Sequence, residues 1–290
     1  MIKRFWPIIL ILISMTSVQG SASLAKYLFP LLGPEGMTAW RLVFSSIMLV
    51  LIFKPWKKPI TKQAFKYIAL YGAVLGMMNL SFYCAIERIP IGIAVAIELT
   101  GPMIVAIFSA RRLTDFVWLI IAIIGLAMLL PIHEANSDLD PIGLLLALSA
   151  GLCWGMYILF GRKAGQLHGP SSVAIGSCLV TLIIFPIGVW QTGEIMFSWN
   201  ILPSAFLVAM LASAIPYGLD MIAMPKVPAL TFSTLMSLSP VFGALAGFLF
   251  LHEQLSAYQW LSISLIIISS IGTVLSITRK SSIKKANSEA

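Results

Sequence analysis

One acidic residue stands where acids are rare. Glu98 lies near the middle of a long apolar run, in Ala96-Ile97-Glu98-Leu99-Thr100-Gly101-Pro102. A carboxylate surrounded by hydrocarbon is expensive, so one kept there is expected to face a partner or a water-filled cavity. Pro102 has no N–H to give to the carbonyl of Glu98, four residues earlier. A freed carbonyl and a carboxyl are therefore expected at one place, beside the Gly101-Pro102 weak point, and together they suit an ammonium group or a proton. Burial favours the neutral acid, whereas a nearby cation favours the carboxylate. That competition is what a proton-coupled exchanger needs, and Glu98 is expected to hold a proton and a substrate in turn. The competing reading is a structural glutamate bonded to a neighbouring helix.

Other polar residues fall inside apolar runs: Gln19, Arg41, Asn79, Tyr83, Tyr157, Tyr217 and Asp220. Gln19 lies between Ser17 and Ser21. Arg41 is one turn inside its run and can pair with a carboxylate or snorkel outward. Asp220, after Pro216, is expected to cap its helix or pair with Lys226 ahead of touching substrate. Trp40, Tyr83, Trp154 and Tyr157 are candidates to line a cavity, with packing or interface anchoring as the alternative. The candidate substrate and proton site is thus Glu98, Gln19, Asn79, Tyr83, Trp40, Arg41, Tyr157 and Tyr217, with helix breaks or gates at Gly101, Pro102, Pro216 and Pro240.

No nucleophile–base set, phosphate loop or metal motif accompanies these residues, which argues against an enzyme and against a cofactor. The three cysteines, Cys84, Cys153 and Cys178, have no C-x-x-C spacing and read as small packing residues. His133, Glu134 and Asp138 are close enough in sequence to suggest a metal, but a solvated acidic loop explains them better.

The elements that must position these groups are membrane helices. The chain has 290 residues, 59% hydrophobic and only 10% charged, where a soluble domain carries about a quarter charged. A membrane helix needs ~20 mostly apolar residues. That scale predicts ten spans, near Trp6–Lys26, Gly36–Phe53, Lys66–Ile86, Ile91–Ala110, Asp115–Pro131, Ile142–Gly161, Ser171–Trp190, Leu202–Ala223, Ala229–Leu251 and Ser256–Ile277. The first, with Lys3 and Arg4 before it and Ser21-Ala22-Ser23 after, also has the look of a cleaved signal peptide; the repeat described next favours keeping it. With a cytoplasmic N-terminus, all of the nineteen Lys and Arg except Lys26, Arg41 and Arg88 fall on or beside the inside. Both termini are then cytoplasmic in an inner membrane. The basic charge is used up by this pattern, which argues against nucleic acid, and the tail Lys280–Lys285 suits anionic headgroups.

Pieces of sequence recur at nearly one offset. Gly33-Pro34 returns as Gly169-Pro170 and Lys26 as Arg162; Arg88-Ile89-Pro90 returns as Lys226-Val227-Pro228, and Pro102 as Pro240. After a four-residue slip, Leu113-Thr114 and Trp118 match Leu255-Ser256 and Trp260. The reading is an all-α membrane protein of two five-helix repeats, 1–135 and 139–278, with a basic cytoplasmic tail, 279–290, and an acidic outer linker, His133–Asp140. Five spans is an odd number, so the second repeat enters from the opposite side: an inverted-topology repeat, common in secondary transporters that rock about a midplane site. Met236 occupies the position of Glu98 in the second repeat, and Pro240 frees its carbonyl. Gly72-x-x-x-Gly76, Gly151-x-x-x-Gly155 and Gly243-x-x-x-Gly247 are small-residue faces for close helix approach.

Several stretches resemble the drug/metabolite transporter superfamily in its EamA-type branch, and within it the bacterial threonine/homoserine exporter subgroup. They are 18–26 (VQGSASLAK), 91–102 (IGIAVAIELTGP), 109–112 with 115–118 (SARR, DFVW), 168–170 (HGP), 173–177 (VAIGS), Pro216-Tyr217 and 234–237 (TLMS). The resemblance implies export of small amino acids across the inner membrane, driven by the proton gradient. It assigns Glu98 to the family's acidic position in the fourth span, and Pro102 and Pro240 to its paired helix-breaking prolines. Two positions depart from the family: Ser239 stands where an acid often precedes the second proline, and His252-Glu253 replaces a common Gly-Glu pair. A different small metabolite is the alternative within transport; a membrane scaffold, a sensor or a pore is the alternative outside it. The partners implied are a small molecule and the bilayer, with oligomeric state open.

Overall fold

A computed structural model of the chain describes residues 2–129, 139–250 and 256–289. The residues His133, Glu134 and Asp138 and the pair His252-Glu253 lie outside the described residues. Among the described residues the structure is helical without strands, and no group of His, Cys, Asp or Glu could hold a metal ion.

α1 (Ile2–Phe53) is two arms joined at Gly33, whose φ of 65° and ψ of 179° no helix tolerates. Such a positive φ suits glycine. Ser14 and Ser17 on the first arm reach Pro216 and Leu211, while Arg41 and Leu49 on the second reach Ala212 and Gly218. The partner numbers fall along one arm and rise along the other, so the arms are antiparallel.

There follow α2 (Lys62–Arg88), α3 (Ile91–Glu98), α4 (Thr100–Ser109), α5 (Leu113–Leu129), α6 (Pro141–His168) and α7 (Ser171–Thr192). After them come α8 (Leu202–Ala209), a π turn at Met210–Ala214, α9 (Ile215–Ala223), α10 (Ala229–Met236), α11 (Ser239–Phe250) and α12 (Ala257–Glu289). Local signals set several starts. Thr61 accepts the Ala64 N–H at the head of α2, and Asp140 accepts the Ile142 N–H at the head of α6. The Ile142 N–H and the Arg88 guanidinium 3.1 Å away hold the Asp140 carboxyl below the usual carboxylate range. A folded-state value so depressed makes this tie one that is present at neutral pH and lost only on acidification.

Among the described residues, seven helical stretches are long and apolar enough to cross a bilayer: Glu35–Lys57, Lys62–Arg88, Ile91–Ser109, Pro141–His168, Ser171–Phe197, Leu202–Lys226 and Ala257–Ser276. Phe5–Ser21, Leu113–Leu129 and Ala229–Leu245 are shorter apolar helices.

The recurring sequence pieces share backbone conformation. Gly33 and Gly169 both combine positive φ (65° and 79°) with extended ψ (179° and −162°) ahead of a proline. Ile89 (φ −130°, ψ 156°) and Val227 (φ −116°, ψ 152°) are both extended, as the residue before a proline must be. Equivalent elements also meet each other. The second arm of α1 lies on α7, with Ser46 against Thr181 at 2.9 Å and Gly36 packed where a Cβ would run into the Thr192 side chain. α5 lies on α12, with the Trp118 indole donating to Ser276 at 3.1 Å and Gly125 against Ser262 and Ile266. In both pairs the numbering runs in opposite directions, so the paired helices are antiparallel.

α3 and α10 end at equivalent places, Glu98 and Met236, 138 residues apart. Leu99 (ψ −17°) and Ser237 (ψ −11°) unwind there, and in each case a proline lies three residues on. The first break is pressed against α6. A Cβ on Gly151 would stand 2.9 Å from the Glu98 carbonyl oxygen and 3.1 Å from that of Ile97, and one on Gly101 would run into the Gly151 carbonyl. The seam therefore needs both glycines. Gly151→Val is expected to destabilise the fold by about 1–3 kcal/mol through overpacking. The check is the thermal midpoint in detergent, and a midpoint equal to the parent's would show that the seam has slack.

Candidate functional site

A cavity of about 240 Å³ lies where α1, α2, α6 and α9 surround the two helix breaks. Three charged side chains line it: Arg41, Glu98 and Asp220. Gln19, Asn79, Tyr157 and Tyr217 add polar groups, and Trp154 and Met78 add apolar ones. The second break supplies Met236, Ser239 and Pro240.

Arg41 is held by what Pro216 and the π turn leave undone. Pro216 has no N–H for Ala212, four residues earlier, and the Ile215 N–H goes to Met210 in place of Leu211. The carbonyls of Leu211 and Ala212 thus lose their α-helical donors. The Ser17 hydroxyl donates to Leu211 O at 2.6 Å, and Arg41 Nη2 donates to Ala212 O at 2.8 Å. Arg41 Nε donates to Ser213 Oγ at 3.0 Å, Nη2 also to the Tyr217 hydroxyl at 3.3 Å, and Nη1 to the Tyr83 hydroxyl. The guanidinium carries five N–H groups, and these four bonds aim it with little freedom. π turns recur at functional sites, and here one creates the acceptors that seat the cation.

The polar chain continues outward from Arg41. Tyr217 donates to Asn79 Oδ1 at 3.0 Å, and Asn79 Nδ2 donates to Leu75 O at 2.8 Å. On the far side, the Tyr157 hydroxyl donates to Asp220 Oδ2 at 3.5 Å, while Asp220 Oδ1 is buried without a hydrogen-bond partner among the described residues. The rings of Tyr71, Tyr157 and Tyr217 pack in sequence, 5.1 and 6.3 Å apart. Glu98 is half-buried at the cavity wall, which it shares with Arg41.

Of the eight candidate binding residues, the structure brings six to the cavity: Glu98, Gln19, Asn79, Arg41, Tyr157 and Tyr217. Tyr83 stands behind Arg41, stacked under its guanidinium with 5.3 Å to the ring centre. Trp40 is elsewhere. Its indole donates to Met196 O at 2.9 Å and its ring packs on Phe44, Phe185 and Phe197, in a separate apolar core. Pro216 and Pro240 reach the cavity wall, whereas Gly101 and Pro102 are buried in the seam with α6. The freed Glu98 carbonyl also lies in that seam, against Gly151, and is not offered beside its own carboxyl as expected. At Gly243 a Cβ would meet the Gln19 amide of α1, so the glycine makes room for that side chain.

Asp220 is the residue that sequence reasoning placed differently. It does not pair with Lys226, whose ammonium lies 4.0 Å from the Trp6 ring centre. The signal that finds Asp220 is the one that found Glu98, a charge inside an apolar span.

Helices that cross a membrane around a small polar cavity fit a transporter. The chain belongs to the EamA-like transporter family, whose model matches twice, at residues 5–131 and 141–275. It is a multi-pass membrane transporter and not an enzyme. It is 47% identical to the threonine/homoserine exporter RhtA of Escherichia coli (strain K12), over 96% of this chain and 95% of that one. It is 46% identical to the threonine/homoserine exporter RhtA of Salmonella typhimurium (strain LT2), over 97% and 95%. An uncharacterized transporter of Bacillus subtilis (strain 168), YwfM, is 25% identical over 82% of this chain and 84% of its own. A crystal structure of a further protein superposes with a TM-score of 0.74 over 93% of this chain and 98% of that one, at 17% identity, which shows a shared fold.

Proposed function

We propose that the chain exports threonine, homoserine or closely similar amino acids across the bacterial inner membrane, by alternating access coupled to protons. The observation that carries this reading is a fixed guanidinium and a carboxyl, Arg41 and Glu98, in the wall of one small cavity. An amino-acid zwitterion needs one group of each sign. Arg41 has a fifth N–H and its charge to offer a carboxylate, and Glu98 can accept an ammonium or, when the substrate has left, a proton. The volume of about 240 Å³ lies below the ~300–1,000 Å³ of sites for drug-sized ligands, which suits a small amino acid. The names of the relatives point to the same substrates.

In this reading the protein has ten spans as two inverted five-helix repeats with both termini cytoplasmic. The antiparallel packing of equivalent helices, the double family match and the distribution of Lys and Arg support it. Gln19, Asn79, Tyr157 and Tyr217 complete the polar wall, and the breaks at Pro102 and Pro240 serve as gates. Expression in a strain sensitive to excess threonine or homoserine is expected to raise resistance and to speed efflux of labelled threonine. Protein present in the membrane without added resistance would sink the substrate assignment.

A further inference from the structure

Two clefts meet at Ser276, away from the central cavity. The first, about 330 Å³, opens where α4, α5, α6, α10 and α12 converge, and Arg111, Arg112 and Arg162 line it. Among the described residues none of the three forms an ion pair; the pair found there is Arg88–Asp140. Arg162 Nε is buried and has no hydrogen-bond partner among the described residues. The acid in the wall, Asp115, is already engaged: its Oδ2 accepts the backbone N–H groups of Arg111 and Arg112 at 3.0 and 3.1 Å. The first residues of α10, Ala229 and Leu230, form another part of the wall, and the start of a helix favours anions. Three cations without an ion pair among the described residues, and a helix start, around one cleft call for a phosphate-like charge.

The second cleft, about 310 Å³, is apolar apart from Ser276. Trp118 of α5 closes one side, and Ile268, Ile271 and Leu275 of α12 the other. From Leu275 to Ile268 this groove runs ~10 Å along the helix, at about 1.5 Å per residue. Trp118 is fixed over it by its bond to Ser276 and by Gly272, where a Cβ would collide with the indole. Beside the arginines, Phe108 and Leu113 are 79% and 87% exposed, as side chains in contact with lipid are.

The geometry points to a bound anionic phospholipid, its phosphate among Arg111, Arg112 and Arg162 and one acyl chain in the groove under Trp118. A free phosphate would account for the first cleft and leave the second without an occupant. With the proposed orientation the lipid belongs to the cytoplasmic leaflet; that clause rests on the proposed topology, while binding itself does not.

The test is quenching of tryptophan fluorescence in the full chain, purified in detergent, by lipids with dibrominated acyl chains. Phosphatidylglycerol is expected to quench at a concentration on the order of a hundredfold below phosphatidylcholine with the same chains, since each arginine near a headgroup supplies about a factor of five. Trp118→Phe is expected to remove that saturable part, and Arg111→Gln/Arg112→Gln/Arg162→Gln to remove the headgroup preference. The parent's preference is expected to shrink with added salt, a measurement that needs no variant to fold. Equal quenching by both lipids in the parent overturns the proposal. So does displacement of phosphatidylglycerol by inorganic phosphate at a similar concentration, which would mark a free-anion site. Threonine efflux separates this from the transport reading, because loss of lipid preference with efflux intact leaves that reading standing.

Discussion

Glu98→Gln is expected to bring threonine export close to background and to strip the remainder of its pH dependence. Glutamine has the shape of glutamate, so the break after residue 98 and its seam with Gly151 are kept. What is lost is the negative charge that an ammonium would meet and the group that would carry a proton. Removing one partner of a desolvated charge pair costs about 2–5 kcal/mol, or roughly thirtyfold to several-thousandfold at about 1.4 kcal/mol per factor of ten. The measurement is uptake of labelled threonine into inverted vesicles under an imposed pH gradient, across external pH from about 5 to 8, the range over which a carboxyl tuned for exchange must titrate. Full gradient-driven transport by the glutamine variant would remove Glu98 from the mechanism.

The second large effect is expected at Arg41. Its four hydrogen bonds join the second arm of α1 to α2, to the π turn and to α9. Arg41→Gln would leave the acceptors at Ala212, Ser213, Tyr83 and Tyr217 short of donors in a buried place. Leaving buried acceptors unmet costs about 1–3 kcal/mol each, and a drop of roughly 10 °C in the melting midpoint follows at about 2–4 °C per kcal/mol. Arg41→Lys separates charge from geometry. Lysine keeps the cation but has three rotatable donors in place of a planar fork, so it is expected to melt between the two and to export poorly. A lysine variant with parental export would show that charge alone suffices, and a glutamine variant with a parental midpoint would show that the four bonds are dispensable.

Much of this was legible in the chain, for reasons that can be named. Glu98 stood out because one charge in an apolar run is costly. The breaks were legible because Pro102 and Pro240 each remove an N–H, and the repeat because Gly33-Pro34 and Gly169-Pro170 require the same uncommon backbone. What escaped shares a cause too. A membrane helix is apolar on its packed and on its lipid-facing side, so periodicity does not tell which face is which. Trp40 therefore read as a cavity candidate when it belongs to an aromatic cluster. The π turn at Met210–Ala214 has no residue signature beyond Pro216, and without it the acceptors for Arg41 are invisible. Among the described residues Arg41 neither pairs with a carboxylate in contact nor snorkels. It is satisfied by hydroxyls and a carbonyl more than 170 residues away in the chain, apart from Tyr83. Asp220 was misassigned because Lys226, near in sequence, lies over the Trp6 ring instead.

The four bonds of Arg41 also have a mechanical meaning. Arg41 and Tyr83 belong to the first repeat, and Ala212, Ser213 and Tyr217 to the second, so the guanidinium is a rivet driven through both. A rigid rotation of one repeat against the other that keeps the rivet must turn about it, and displacement then grows with the lever arm. Probes beside Asn79 would scarcely separate during such a cycle, while probes near Lys57, past the end of an arm that runs ~18 Å beyond Arg41, would travel farther. If Arg41 orients the substrate as proposed, it would also set the fulcrum, and where that fulcrum lies determines how widely each mouth opens.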